Sequence, residues 1–352
     1  MNVSPKILLV LASLILSVLI GVSLSARQNG TSRIEDDEGL VIGMSMDTLK
    51  EARWQRDRDI FVKRAEELGA KVLVQSANSD DTRQIQQVMS LIANKVKVLV
   101  IVPHDGTAMA KAVEEAGKAS IPVIAYDRLI TDCDLDLYLS FDNIKVGEQQ
   151  AGYLVEKLNG KGRIIRIYGA PTDNNAKLFK QGQDNVLKPY IERGAITVVH
   201  EDWVENWDPG NAKKIMNAAL TTLGDTFDAV LASNDGTAGG AIQALKEAKL
   251  DGKRLVTGQD ADLVACQRIV AGSQSMTVYK PIKELATTAA EPAVKFGSGK
   301  PIVANGAVPN GRMDVPSVLL PTIVVDRVNI QEVIVNDGFH SKKDLFGEAS
   351  GE

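Results

Sequence analysis

The residues of this chain that could do chemistry gather just after its short β-branched runs. After the first such run come Asp47 and then Arg53-Trp54. Pro103-His104-Asp105 follows the third and Tyr126-Asp127-Arg128 the fourth. In the second half the corresponding sets are Asp173-Asn174-Asn175, Trp203 to Trp207, Ser233-Asn234-Asp235, Gln259-Asp260-Ala261-Asp262 and Tyr279-Lys280. Carboxylates accept hydrogen bonds, Arg and Lys donate them, and an Asn amide does both. Charged partners make the shorter and stronger bonds, and a flat indole can cover an apolar C–H face. Together these groups suit a ligand whose hydroxyls donate and accept at once, as those of a sugar do. Each residue alone has a plainer reading. Strand-end Asp and Asn are common helix N-caps; Asp81 and Asp235 read as caps, and Trp203 as core.

The elements that must position these groups alternate in type. Leu40–Met46, Lys71–Gln75, Val98–Val102, Pro122–Ala125 and Tyr138–Phe141 read as buried strands. Between the first four lie amphipathic runs: Glu51–Leu68 with Trp54, Phe61, Val62, Ala65 and Leu68 inward, Asp81–Ala93 with Ile85, Val88, Met89 and Ile92 inward, and Thr107–Ala119. Near-continuous apolar strands separated by helices predict a parallel sheet covered on both faces. The rhythm restarts at Val146–Leu158 and continues through strands at 163–168, 197–200, 229–232, 254–257 and 275–278. The fold class is therefore α/β, with two doubly wound parallel-sheet lobes. Ligands of such sheets bind beyond the carboxyl ends of the strands, where the polar sets sit.

Composition narrows the classes. The body from about Val41 to Phe346 is roughly 300 residues, enough for two domains. A net charge of −5 without a basic tract argues against a nucleic-acid partner. Cys133 and Cys266 lie far apart and read as buried thiols, and the three histidines form no ligand pair. No phosphate-binding glycine loop opens a helix. No metal or cofactor is expected. At the front, Ile7–Ala26 is an uncharged apolar run of about 20 residues. That suits a signal peptide or a membrane anchor, so residues 1–26 place the body outside the cytoplasm, either in the periplasm or at the outer face of the cell membrane. Residues 27–38 read as a polar linker and 347–352 as a tail.

The motifs themselves carry a resemblance. Arg53–Val62 (RWQRDRDIFV), Gln75-Ser76-Ala77-Asn78, Ala125-Tyr126-Asp127-Arg128, Ser140-Phe141-Asp142-Asn143, Asp173–Phe179 (DNNAKLF), Ser233-Asn234-Asp235, Gly258–Asp262 (GQDAD) and Met276–Pro281 (MTVYKP) resemble the D-xylose-binding proteins of bacterial ABC sugar importers. These belong to the ribose/galactose-binding class of periplasmic binding proteins. The resemblance covers essentially the whole body. It implies two lobes joined by a three-crossover hinge near Asp142–Ile144, Lys280–Ile282 and Leu319–Thr322. Lobe one would comprise 39–142 plus 282–318, and lobe two 143–281 plus 319–346. It further implies that Arg53, Asp127 and Arg128 bind the ligand from lobe one. Asn174, Trp207, Asn234, Asp260 and Lys280 would bind it from lobe two, with Trp207 and Trp54 as stacking rings. The implied activity is closure on D-xylose by a protein that is monomeric when free, followed by presentation to an ABC permease. A retained anchor would favour a xylose sensor subunit facing a two-component histidine kinase.

Two other classes are weaker. A glycoside hydrolase could use Asp127 and Asp260 as a carboxylate pair. A general acid needs a raised pKa, however, and the neighbouring Arg128 works against that. A sugar-responsive repressor needs a DNA-binding helix pair at the front, where this chain has an apolar run. No enzymatic activity is expected.

Overall fold

The computed structural model describes residues 39–347. The apolar run expected to be a signal or anchor lies outside the described residues. The first sheet has seven strands in the order β11-β12-β5-β4-β3-β1-β2. Its central strands β1 (Val41–Met46), β3 (Val98–Val102), β4 (Val123–Tyr126) and β5 (Leu137–Phe141) are parallel, with β2 (Lys71–Ser76) at one edge. At the other edge β12 (Asp314–Leu320) runs parallel to β5 and forms a hairpin with β11 (Gly306–Pro309).

Apolar side chains on both faces hold the sheet. One face packs on α1 (Ala52–Glu67) and α9 (Ile282–Gly297), burying Phe61, Ala65, Leu285 and Ala289. The other packs on α2 (Asp81–Ala93) and α3 (Ala110–Lys118), burying Val88, Leu91, Val113 and Ala116. A strand buried on both faces must be apolar at every position, which is why VLVIV of β3 does not alternate.

The second sheet has the order β7-β6-β8-β9, from β6 (Gly162–Ile167), β7 (Ile196–Asp202), β8 (Ala229–Ala232) and β9 (Leu255–Val256), all parallel. A parallel bridge from Gln259 to Val278 leads on to β10 (Met276–Tyr279), which pairs antiparallel with β13 (Ile323–Asp326). Helices α4 (Asn143–Lys157) and α5 (Asn174–Glu192) cover one face. Helices α6 (Pro209–Leu223) and α7 (Asp235–Glu247) cover the other. The short α8 (Leu263–Ala271) and α10 (Lys342–Phe346) pack around β13. The α4–α5 crossing is unusually close. A Cβ on Gly147 would lie 2.0 Å from the Phe179 carbonyl oxygen, and one on Gly182 1.9 Å from that of Ile144. Only glycine permits that approach, and it brings Phe179 to the cleft end of α5.

The chain passes between the two sheets three times: from β5 to α4, from β10 to α9, and from β12 to β13. Helix phase departs from the sequence expectation in two places. In α2 the buried set is Gln84, Val88 and Leu91, while Met89 is 40% exposed. The rotation brings the Gln84 amide within 2.7 Å of the Val102 carbonyl, and its side-chain oxygen accepts from the His104 N–H. In α1 the buried face carries Arg53 and Asp57 beside Trp54 and Phe61, and Leu68 is exposed.

Two cap assignments shift by one residue. Asp80, not Asp81, caps α2 by accepting from the Arg83 N–H. Asn234, not Asp235, caps α7 in a reciprocal box with Thr237. Asp235 is instead fully buried and accepts from Gln274, from Thr277 and from the Asp262 N–H.

Candidate functional site

A cavity of about 300 Å³ lies between the two sheets, at the carboxyl ends of their strands. Arg53, Trp54, Asp127, Arg128, Trp207, Asn234, Asp260 and Lys280 all line it. Asn174 does not. As the first residue of α5 it faces the Gly106 loop, whose Cβ position lies 4.0 Å from its own Cβ. The next residue round the helix, Asn175, turns inward instead and lines the cavity.

Arg53 is the hub. Its guanidinium donates to Asp127, to Asp57 at 3.4 Å and, from the opposite lobe, to Asp260 at 3.1 Å. Helical spacing sets the Arg53–Asp57 pair, because residues four apart share a face. Lys280, at the hinge end of β10, sits 2.7 Å from Asp260 and is only 2% exposed. Arg128 forms a second bridge. It reaches Asp47 at 2.7 Å within its own lobe and Asp173 at 2.9 Å across the cleft. Asn175 adds a third crossing by donating to the carbonyl and carboxylate of Asp127. At the rim, the Gly106 N–H donates to the Thr172 carbonyl.

Trp54 lies beneath the two arginines, with Arg53 4.2 Å and Arg128 5.2 Å from its ring centre. These are cation–π distances, so its exposed face is covered by guanidinium groups. Trp207 has a freer ring. Its indole N–H donates to Asp173 at 3.1 Å, and its edge meets Phe179 at a centroid distance of 6.4 Å. The ring lies so close over Gly169 that a Cβ there would be 2.0 Å from Cη2.

Several cavity residues hold left-handed backbone: Asp127 at φ 63°, Asn206 and Trp207 at 55°, and Asp260 at 98°. For a bulky Trp this is a strained conformation of the kind that clusters at functional sites. Asp tolerates it better, because its short polar side chain bonds locally. The Asp260 N–H is fixed by the Val278 carbonyl, and Ser140, Tyr138 and Asn175 all donate to the Asp127 carbonyl.

Charge sets the acid strengths. Burial works to raise the Asp127 carboxyl, but the Arg53 and Lys280 charges prevail and hold it below the ordinary carboxylate range. Asp47 is also held low: burial opposes ionisation, but the His104 hydrogen bond and the Arg128 charge outweigh it. Asp57 goes the other way, pushed up to about 6 by burial. It shares Arg53 with two other carboxylates, so that one cation does not offset its desolvation. The Tyr126 hydroxyl donates to it. Asp262 is likewise pushed up to about 6, by burial and by the Asp260 charge. An ionised Asp127 bound to Arg53 makes a poor general acid, which disfavours the hydrolase reading.

Sequence reasoning missed Glu51 and Phe179 as cavity residues and Asp57 beneath them; Asn175, Asp262 and Tyr126 stood in the strand-end sets but were not singled out as ligands. The signal for Asp57 was its i+4 spacing from Arg53 on a helix that also buries Phe61. For Asn175 it was the run of two Asn after Asp173.

Such a pair of doubly wound lobes around a polar cleft defines a class, and comparison with known proteins agrees. The chain belongs to the periplasmic binding protein domain family, whose model matches residues 42–301. It is 53% identical over 304 residues to the D-xylose-binding periplasmic protein of Escherichia coli strain K12, covering 86% of this chain and 92% of that one. It is 52% identical over 307 residues to the protein of the same name from Haemophilus influenzae, covering 87% and 92%. Among solved structures, an ABC transporter solute binding protein from Clostridium phytofermentans with bound β-D-glucose superposes with a TM-score of 0.81. It is 32% identical and covers 87% of this chain and 99% of that one.

Proposed function

We propose that this chain binds D-xylose outside the cytoplasm, in the periplasm, and presents it to the permease of an ABC importer. One observation carries the reading: hydrogen-bonding groups from both lobes converge on one cavity, with an indole at its wall. Arg53, Asp127 and Arg128 would hold the sugar from lobe one, with Trp54 supporting the two arginines from beneath rather than stacking on the sugar, and Trp207, Asn234, Asp260 and Lys280 would hold it from lobe two. The lobes would comprise 39–142 with 282–318, and 143–281 with 319–346.

The lining carries four cations, Lys50, Arg53, Arg128 and Lys280, against six carboxylates, Glu51, Asp127, Asp173, Asp208, Asp260 and Asp262. Carboxylates exceed cations, which favours a neutral polyol and disfavours a sugar acid or phosphate. Only the closed arrangement joins Arg53 to Asp260 and Arg128 to Asp173, so a ligand that bonds both lobes shifts the opening equilibrium by its differential affinity. The names of the two xylose-binding relatives support the choice of pentose.

Isothermal titration calorimetry tests it. D-xylose should bind at micromolar Kd or better, a free energy of about −8 kcal/mol or more favourable. Glucose binding as tightly as xylose would sink the xylose assignment.

A further inference from the structure

Glu51 occupies the N-cap position of α1, yet its side chain caps nothing. Its backbone is extended, at φ −79° and ψ 138°, and its carbonyl accepts from the Trp54 N–H, so the helix starts normally. The carboxylate turns into the cavity, and Oε2 is buried with no hydrogen-bond donor among the described residues. Burial raises its pKa; its own backbone N–H and Arg128 oppose this, and the nearby Asp47 and Asp260 charges add to it. Across the cleft stands Asp262, the N-cap residue of α8, which also makes no side-chain cap and also lines the cavity.

A buried carboxylate oxygen without a donor is costly, more so than a neutral acceptor. Capping duty would have relieved that cost, and Glu51 does not take it. Of the four cavity cations, Arg53 is committed to Asp57, Asp127 and Asp260, Arg128 to Asp47 and Asp173, and Lys280 to Asp260, while Lys50 leaves Oε2 without a donor. The donor that suits this oxygen is therefore one that arrives with the ligand. The surrounding carboxylates disfavour an anionic group, and on the sugar reading of the cavity the donor is a hydroxyl.

We propose that Glu51 is a specificity-determining residue of the sugar site, accepting a hydrogen bond from one particular hydroxyl of the bound sugar. This rests on the sugar-binding reading of the same cavity.

The test is a cycle of two proteins against a series of deoxy sugars. Calorimetry first ranks an aldose panel on the unmodified protein, and the tightest aldose becomes the parent. If that aldose is not D-xylose, the xylose reading fails while the Glu51 test proceeds. Glu51→Ala should then bind the parent about 10- to 100-fold more weakly, as expected for losing a hydrogen bond to a charged group. Its thermal midpoint should not fall, because no cap is lost and a costly unpaired carboxylate oxygen is removed. Among monodeoxy analogues of the parent, one should lose affinity for the unmodified protein but lose little further in Glu51→Ala, since the hydroxyl and its acceptor form one coupled pair. Equal or tighter binding of the parent by Glu51→Ala overturns the proposal. So does a series in which every analogue loses the same factor with both proteins.

Discussion

Replacing Asp260 by Asn probes the charge arrangement at the centre of the cleft. Asp260 joins the lobes by accepting from Arg53 at 3.1 Å, and it pairs Lys280 at 2.7 Å. The two cations respond differently to its neutralisation. Arg53 keeps Asp57 and Asp127. Lys280 loses its ion pair and is left over the Phe141 and Phe179 rings, 5.7 Å and 6.0 Å from their centres. Stripping the partner from a fully buried charge costs about 3–5 kcal/mol. Asp260 is 11% exposed and Asn keeps a carbonyl acceptor, so the expected loss in binding is nearer 2–4 kcal/mol. At about 1.4 kcal/mol per tenfold, that is roughly 30- to 700-fold in Kd. Asn is the informative substitution because residue 260 has φ 98°, a region Asn tolerates and Ala does not. Calorimetry with D-xylose gives Kd, and circular dichroism reports the fold. A Kd within about threefold of the unmodified protein, with a native spectrum, would refute the reasoning that Asp260 and Lys280 act as a pair at the sugar.

Other outcomes follow from the same geometry. Gly169→Ala would force the Trp207 ring aside, since the new Cβ falls 2.0 Å from Cη2. We expect roughly tenfold weaker xylose binding from about 1–3 kcal/mol of overpacking, and unaltered calorimetric affinity would place the ring outside the binding surface. Trp207→Ala removes the platform altogether and should weaken binding by about 2 kcal/mol or more in the same assay. Asp57 gives a pH signature. Its folded-state value of about 6 exceeds the ordinary value of 3.8, so the folded state holds its proton more tightly than the unfolded one. Stability from this group is therefore full below about pH 4 and is lost as pH rises through about 6, on the order of 3 kcal/mol in full. Urea midpoints at pH 4.5 and 7.5 should differ less in Asp57→Asn than in the unmodified protein. The Asp262 contribution, of the same sign, should remain. Equal pH slopes would contradict the shift. D-xylonate, an anion, should bind at least tenfold more weakly than xylose, since the lining holds more carboxylates than cations.

What could be read in the sequence and what could not divide along a physical line. The central strands of both sheets were legible because burial on both faces leaves no polar position, and VLVIV or AVLA has no other comfortable setting. The residues that follow them were legible for the same reason, because a parallel sheet fixes where its carboxyl ends open. The edge hairpin β11–β12 was not. It carries Gly306, Pro309 and Pro316 among half-exposed positions, and edge strands tolerate such residues. The positions on helices were read less well, because a helix turns 100° per residue and a one-residue error moves a side chain off the face. That error exchanged Asn175 for Asn174, Asn234 for Asp235 and Asp80 for Asp81. The deepest miss was the layer under Arg53. An apolar pattern drawn through Trp54, Phe61 and Ala65 passes over Asp57, because an acid on a buried face looks like a surface residue until its partners are known. Those partners, Tyr126 from β4 and Arg53 one turn earlier, meet only in three dimensions. The helix face that holds the lobe together is also the one that aims Arg53 at the cleft, so the core and the cavity share side chains. A substitution at Asp57 would therefore reach a ligand bound in the cavity through Arg53 without touching it.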